Sequence, residues 1–242
     1  MNAEHVALIT GANKGIGLQV ARELALSGYT VLIGSRAENL GKEAAAKLQN
    51  AGLRALPIPI DVTDHATIRA AESLIQDRFG KLDVLINNAG ISIDSGARPS
   101  QLSIEVLRKT FETNVFGAFV VLQTMLPLLH KAEAGRVVNV SSGLGSLTQN
   151  SDPNYEFARV KLLAYNSSKT VLNAFTVQFA HEFKDTSIKI NAADPGFTAT
   201  DLNGHRGTRS VEQAARIIVR LATLPESGPT GGFFDENGSI PW

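Results

Sequence analysis

The strongest constraint in the chain is a repeated alternation of short, apolar, β-branched runs with longer stretches patterned for helix. HVALIT (His5–Thr10), TVLIGS (Thr30–Ser35), ALPIPID (Ala55–Asp61), LDVLINN (Leu82–Asn88), RVVNVSS (Arg136–Ser142) and SIKINAA (Ser187–Ala193) read as strands, followed by a weaker GGFFDE near Gly231. Each is apolar almost without interruption, the pattern of parallel strands covered on both faces. Between the first two, GLQVARELALSG sets Val20, Ala21, Leu24 and Ala25 at helical spacing, and Gly28 supplies a stop. NLGKEAAAKLQNAG and ATIRAAESLIQDRFG repeat the pattern, each closing on glycine. Parallel strands need crossover connections, and in such sheets these are right-handed. The expected fold is α/β: a doubly wound parallel sheet of about seven strands with helices on both faces. With no linker, low-complexity segment or short-period repeat, residues 1–242 read as a single domain.

Composition narrows the partners. Lysine plus arginine equal aspartate plus glutamate at 23 each, so the net charge is zero. A neutral chain without a basic run gives no electrostatic footprint for nucleic acid. There is no cysteine, which removes disulfides and thiolate chemistry and fits a reducing compartment. MNAEHVALIT runs straight into a strand and carries no signal-peptide pattern. The most apolar stretch, Val115–His130, is interrupted by Gln123, Thr124 and Pro127 and reads as a buried helix, too short and mixed to span a membrane. The expectation is a soluble, cytoplasmic protein. Neither the histidine spacing nor any carboxylate cluster suggests a metal.

After the first strand comes TGANKGIG, with Gly11, Gly15 and Gly17 opening the next helix. Strand, glycine turn and helix N-terminus together make a phosphate cradle, because backbone N–H groups and the positive end of the helix dipole face the anion. The spacing is G-x-x-x-G-x-G, and no Lys-Ser/Thr pair follows as it would in a P-loop. The alternative is a tight strand–helix turn and nothing more; its place after the first strand of such a sheet favours a nucleotide. About 20 residues past the loop, a binder of the unphosphorylated ribose carries an acid. Here that place reads GSRAEN, with Ser35 and Arg36 and no acid before Glu38. Arg36 and the loop cation Lys14 suit a 2′-phosphate, the alternative being two solvated surface charges.

TGANKGIG, the NNAG of Asn87–Gly90, the pair Ser141–Ser142, YNSSK and DPGFTAT stand in one order along nearly the whole chain. Together they resemble the classical short-chain dehydrogenase/reductase family, with the carbonyl-reductase branch the nearest likeness. The resemblance implies a Rossmann-type sheet with NADP(H) across the strand ends. It would place Gly11, Asn13, Lys14, Gly15, Ile16 and Gly17 on the pyrophosphate side, and Ser35 and Arg36 on the adenosine phosphate. Asp61 and Val62 would flank the adenine. Asn88, Ala89 and Gly90 would line the ribose, and Pro195, Gly196, Thr198 and Thr200 would meet the nicotinamide carboxamide. The family's catalytic set carries over as Asn114, Ser142, Tyr165 and Lys169, the last two also touching cofactor. Asn114 sits mid-helix in FETNVFG, where asparagine has poor propensity. A purely structural kink is the other reading of it.

The implied reaction moves a hydride onto a carbonyl carbon and a proton onto its oxygen. Its reverse oxidises an alcohol. A free tyrosine, with pKa about 10, is a weak acid at neutral pH. An ammonium near it is expected to favour the phenolate and lower that value. Tyr165 and Lys169, four apart, share one helix face. Tyr155 competes for the role, since it lies nearer Ser142 in sequence. At its own four-residue offset, however, it has only Arg159, and it follows the turn and helix-start signal SDPN in inserted material. Tyr165 is therefore favoured, with Tyr155 a pocket or surface residue. The inserted segment also weighs against the helix-to-helix association usual in the family, and so towards a monomer. DLNGHRGTRSVEQ is a short lid, with His205 and Arg206 either on its surface or touching substrate. A non-catalytic NADP(H) redox sensor and an NAD-dependent alcohol dehydrogenase are the alternative functions.

Overall fold

The computed structural model describes residues 5–94 and 96–242. The seven expected strand runs form β1 (Val6–Ile9), β2 (Thr30–Ser35), β3 (Ala55–Pro59), β4 (Val84–Asn87), β5 (Arg136–Val140), β6 (Lys189–Ala193) and β7 (Phe233–Phe234). The helices are α1 (Gly15–Leu26), α2 (Glu38–Asn50), α3 (His65–Phe79), α4 (Ile104–Phe111), α5 (Ala118–Leu129), α6 (Leu147–Ser151), α7 (Leu163–Glu182) and α8 (Val211–Ala222). One sheet runs β3-β2-β1-β4-β5-β6-β7 with every neighbouring pair parallel. This is the Rossmann-type doubly wound arrangement. The winding reverses between β1 and β4, which opens a crevice beyond their carboxyl ends.

Each strand is apolar throughout because its alternate residues enter different cores. Ala7 and Ile9 of β1 pack with Val20 and Leu24 of α1, Leu48 of α2 and Ile218 of α8. Val6 and Leu8 pack with Ile68 and Ile75 of α3 and Val121, Met125 and Leu128 of α5. Burying a side chain of this size contributes about 1.5–3 kcal/mol, and neither face of the sheet is left to water.

The apolar Val115–His130 run, expected as a buried helix, is part of a longer helical run. It continues back through a π-helical turn, Glu112–Gly117, into α4. The joined run, Ile104–Leu129, is long and apolar enough to cross a membrane by length and composition alone. Here Val121, Leu122, Met125, Leu128 and Leu129 pack into the core. At Gly117 the helix backbone meets the loop after β3, where a Cβ would lie 2.8 Å from the Val62 carbonyl oxygen.

The inserted segment also departs from expectation. SDPN does not start the helix of Tyr155. Instead the Asp152 carboxylate accepts the Asn154 N–H at 2.8 Å, and the chain passes through successive turns closed by Tyr155 N–H to Asp152, Ala158 N–H to Tyr155 and Val160 N–H to Phe157. The short α6 ends on the first residue of that signal, Ser151, and α7 begins only at Leu163.

At Gly17 an added Cβ would lie 2.5 Å from Asn88 Nδ2 and 2.8 Å from the Gly11 carbonyl oxygen, so α1 meets the sheet too closely for any side chain. Gly17→Ala is expected to destabilise the fold by about 1–3 kcal/mol. A fall in the urea midpoint at unchanged m-value is the measure.

Candidate active site

The glycine loop opens onto the crevice. Gly11 has φ +64° and Gly15 φ +59°. Lys14 is the extended N-cap of α1, with no side-chain cap and no acid in the first turn. First-turn N–H groups left without a side-chain acceptor fit an anionic group. Ile16 packs against the core, and Asn13 is partly exposed. A Cβ at Gly15 would lie 3.7 Å from Thr200 Cγ2, so the loop after β6 closes the crevice from the other side. Within that loop the Thr198 hydroxyl is bonded to the Pro195 and Gly196 carbonyls at 3.3 and 3.1 Å.

The remaining residues expected on the cofactor side divide into those that hold the scaffold and those that face outward. Asn88 spends its amide on the Thr10 and Gly11 carbonyls, at 2.8 and 3.2 Å. Ala89 N–H is bonded to Thr10 Oγ1 at 3.0 Å. Asp61 Oδ1 accepts from the Thr63 N–H and hydroxyl, at 2.9 and 2.8 Å, and Val62 is buried. Ser35 is buried at the end of β2, its hydroxyl on the Ala37 carbonyl at 2.9 Å. Arg36, next to it, is exposed.

Lys14 is placed differently from the expectation that paired it with Arg36. It reaches across the crevice to Asp201, whose second carboxylate oxygen meets His205 Nε2 at 2.7 Å. Asp201 is its counter-charge here because the loop after β6 returns directly opposite the glycine turn. His205 and Arg206 are exposed on that loop, and Arg206 bonds back to the Asn203 carbonyl at 2.9 Å.

At the other end of the crevice four side chains converge from three elements. The π turn buries Asn114, whose Oδ1 accepts Ile91 N–H at 2.8 Å while its Nδ2 donates to the Ile91 carbonyl at 2.9 Å and to Ser168 Oγ at 3.0 Å. Beside it, a Cβ on Gly90 would lie 3.4 Å from Asn114 Oδ1 and 3.7 Å from Lys169 Nζ. Ser141 is consumed by Asn173 at 2.6 Å behind the sheet end. Ser142 is only partly buried; its hydroxyl accepts the Leu144 N–H at 3.3 Å and lies beside the Tyr165 side chain. Lys169 lies one turn beyond Tyr165 on α7, its ammonium on the Val140 carbonyl at 2.7 Å and 5.7 Å from the Tyr165 ring centre.

Asp94 completes this end. Its carboxylate accepts the Ala164 and Tyr165 N–H groups at 2.9 and 3.1 Å, fixing the first turn of α7 that carries Tyr165. No local pattern marks it, because its partners are 70 and 71 residues away.

The electrostatics correct one expectation. Tyr165 is pushed up to about 12, by burial first and then by the Asp194 carboxylate, with the Ser142 hydrogen bond pulling the other way. Lys169 is pushed down to about 8 by burial, against the pull of Asp194. Lys169 is not among the causes of the Tyr165 shift: its nitrogen is bonded to the Val140 carbonyl and lies beneath the ring, 5.7 Å from its centre. Tyr155 is likewise pushed up to about 12 by burial and Asp194.

The sequence profile of the short chain dehydrogenase family matches residues 5–210. The chain is 40% identical over 224 residues to a short-chain dehydrogenase of Penicillium roqueforti, spanning 90% of this chain and 88% of that one. It is 33% identical over 277 residues to the carbonyl reductase [NADPH] 1 of Bos taurus, spanning 98% of each. The NADPH-bound carbonyl reductase from chicken fatty liver superposes with a TM-score of 0.84 at 25% identity, over the whole of both chains. The protein belongs to the short-chain dehydrogenase/reductase family, which includes carbonyl reductases, and is an oxidoreductase.

Lys169 gives a pH signature. An unfolded lysine keeps its proton to about pH 10.4, whereas in the fold it titrates near about 8. Between these values the unfolded chain binds more protons, so stability rises with pH. Compared with Lys169→Met, the unmutated protein is expected to gain on the order of 2 kcal/mol between pH 7 and pH 10, measured by urea unfolding at both.

Proposed function

We propose that the protein is an NADPH-dependent reductase of ketones and aldehydes that also runs in reverse as an alcohol dehydrogenase. The observation that carries this reading is the convergence of Ser142, Tyr165 and Lys169 beside Gly90 and the Asn114 turn. A substrate oxygen held between the Ser142 and Tyr165 hydroxyls receives a hydrogen bond from Ser142 that strengthens as negative charge develops on it. Tyr165, pushed up to about 12, stays a phenol through the neutral range and gives its proton to that oxygen. Lys169, near about 8, supplies a proton or a positive charge beneath the ring. Asn114, with both amide ends held by Ile91, fixes the helix beside the lysine. The hydride would come from the nicotinamide ring of NADPH bound along the glycine loop.

Preference for the phosphorylated cofactor rests on Arg36, exposed after β2 with no acid at the ribose position. The nearest acid, Glu38, is paired with Lys42 at 2.7 Å. Lys14 can join Arg36, since its pair with Asp201 is about half exposed on both sides and such surface pairs contribute about 0–1 kcal/mol. The bovine and chicken carbonyl reductases, described with NADPH, support the same choice.

The substrate side is an aromatic wall. Tyr155 and Phe157 meet edge to face at 5.7 Å, and Phe157 and Phe197 lie tilted at 5.9 Å between ring centres. Tyr155 reaches Ser142's neighbour: a Cβ on Gly143 would lie 2.5 Å from its hydroxyl. A wall of rings beside the hydroxyl pair suits an apolar, ring-bearing carbonyl compound.

General acid catalysis contributes about 10²–10⁴-fold, so Tyr165→Phe is expected to lose at least that in kcat while NADPH binding, read by fluorescence, persists. Tyr155→Phe is expected to change KM or substrate range and keep most of kcat. Loss of activity in Tyr155→Phe with retention in Tyr165→Phe would reverse the assignment.

A charge-assisted hydrogen bond to phosphate is worth about 1.5–3 kcal/mol, roughly tenfold to a hundredfold in affinity. Arg36→Asp is expected to erase or reverse the preference for NADPH over NADH. Equal kcat/KM for the two cofactors in the unmutated protein would remove the basis for this assignment.

A further inference from the structure

The helix that carries Tyr165 begins without a cap of its own. Leu162 precedes it and offers no side-chain acceptor, and its first turn holds no acid. The first N–H groups of a helix have no partner within it. In α7 two of them, those of Ala164 and Tyr165, are taken by separate oxygens of the Asp94 carboxylate, at 2.9 and 3.1 Å. These are the second and third helical positions, where an N-cap side chain ordinarily bonds. Asp94 therefore caps α7 from the loop after β4, 71 residues from Tyr165 in sequence.

The same loop also reaches the other end of Tyr165. Ser168 Oγ donates to the Tyr165 carbonyl at 2.7 Å and accepts from Asn114 Nδ2 at 3.0 Å. Asn114 is bonded in turn to the N–H and the carbonyl of Ile91, at 2.8 and 2.9 Å. Ile91, Asn114, Ser168, Tyr165 and Asp94 thus form a closed ring, with Asn114 and Ser168 buried inside it. Its two loop members lie in the short stretch that follows Gly90.

We propose that Asp94 is a positioning residue for the proton transfer: it caps α7 across the fold and, with Ser168, holds both ends of the Tyr165 main chain, so that the phenol is presented to the substrate oxygen. The inference rests on the reading of Tyr165 as the proton donor. The phenol oxygen stands at the far end of its side chain, so a small rotation of an uncapped first turn carries it out of reach, and small misplacements at a reacting group are costly in rate. Asp94 acts on the reaction through the main chain of the tyrosine. Its loss therefore slows carbonyl reduction and alcohol oxidation by the same factor and leaves the equilibrium untouched.

The test is the single-turnover rate in both directions, with the cofactor bound beforehand. Asp94→Ala is expected to lose roughly tenfold to a hundredfold in each direction, while NADPH affinity, read by fluorescence, is unchanged and melting falls by about a few degrees. Asp94→Asn, which keeps one acceptor oxygen, is expected to recover part of the rate. In a Tyr165→Phe background, Asp94→Ala is expected to cause no further loss, because its effect runs through the phenol. A full rate in Asp94→Ala, an Asp94→Asn rate no higher than that of Asp94→Ala, an undiminished further loss in the Tyr165→Phe background, or failure of both Asp94 variants to fold would each overturn the proposal. If Tyr165→Phe itself stays active, the reading of Tyr165 fails; if it is inactive while Asp94→Ala keeps the full rate, only the role of Asp94 fails.

Discussion

The crevice depends on the hydroxyl of Thr10. It accepts the N–H groups of Asn88 and Ala89, both at 3.0 Å, and is bonded to the Ile86 carbonyl at 3.3 Å. These bonds pin the chain leaving β4 to the end of β1, where the winding of the sheet reverses. An apolar residue of the same shape would strand two amide hydrogens at about 1–3 kcal/mol each. The glycine-loop side of the crevice follows from this clamp. Asn88 is placed to hold the glycine turn, the turn aims the uncapped end of α1 into the crevice, and Gly90 is carried on to the Asn114 turn.

The opposite wall is set by polar contacts between β5 and α7. Asn139 Nδ2 donates to Thr176 at 2.9 Å, Ser141 to Asn173 at 2.6 Å, and Lys169 to the Val140 carbonyl at 2.7 Å. With Asp94 at the first turn, these contacts fix the rotation of α7 about its axis. Apolar packing alone tolerates sliding, whereas each buried hydrogen bond fails if the helix turns. The Tyr165 phenol and the Lys169 ammonium are therefore aimed by contacts spread along α7.

The strands and most helices were legible because their signals are local: uninterrupted apolar runs, helical spacing and glycine stops. Asn114 was legible too, since an asparagine in the middle of an apolar helix contradicts propensity, and the structure answers with a π turn. What escaped the sequence depends on partners far along the chain. Asp94 sits in an unremarkable loop context and gains meaning only against α7. SDPN looked like a helix start, yet the Asp152 side chain spends itself on a turn. Lys14 looked free for phosphate and has met Asp201, 187 residues away.

The direction of the Tyr165 shift shows why spacing alone misleads. A lysine four residues on shares the helix face, but a face does not place its nitrogen beside the phenol oxygen. The Val140 carbonyl draws that nitrogen beneath the ring, where it costs the lysine hydration and leaves the tyrosine oxygen facing Ser142 and the field of Asp194. Burial is the dominant influence on both groups, raising the phenol and lowering the ammonium.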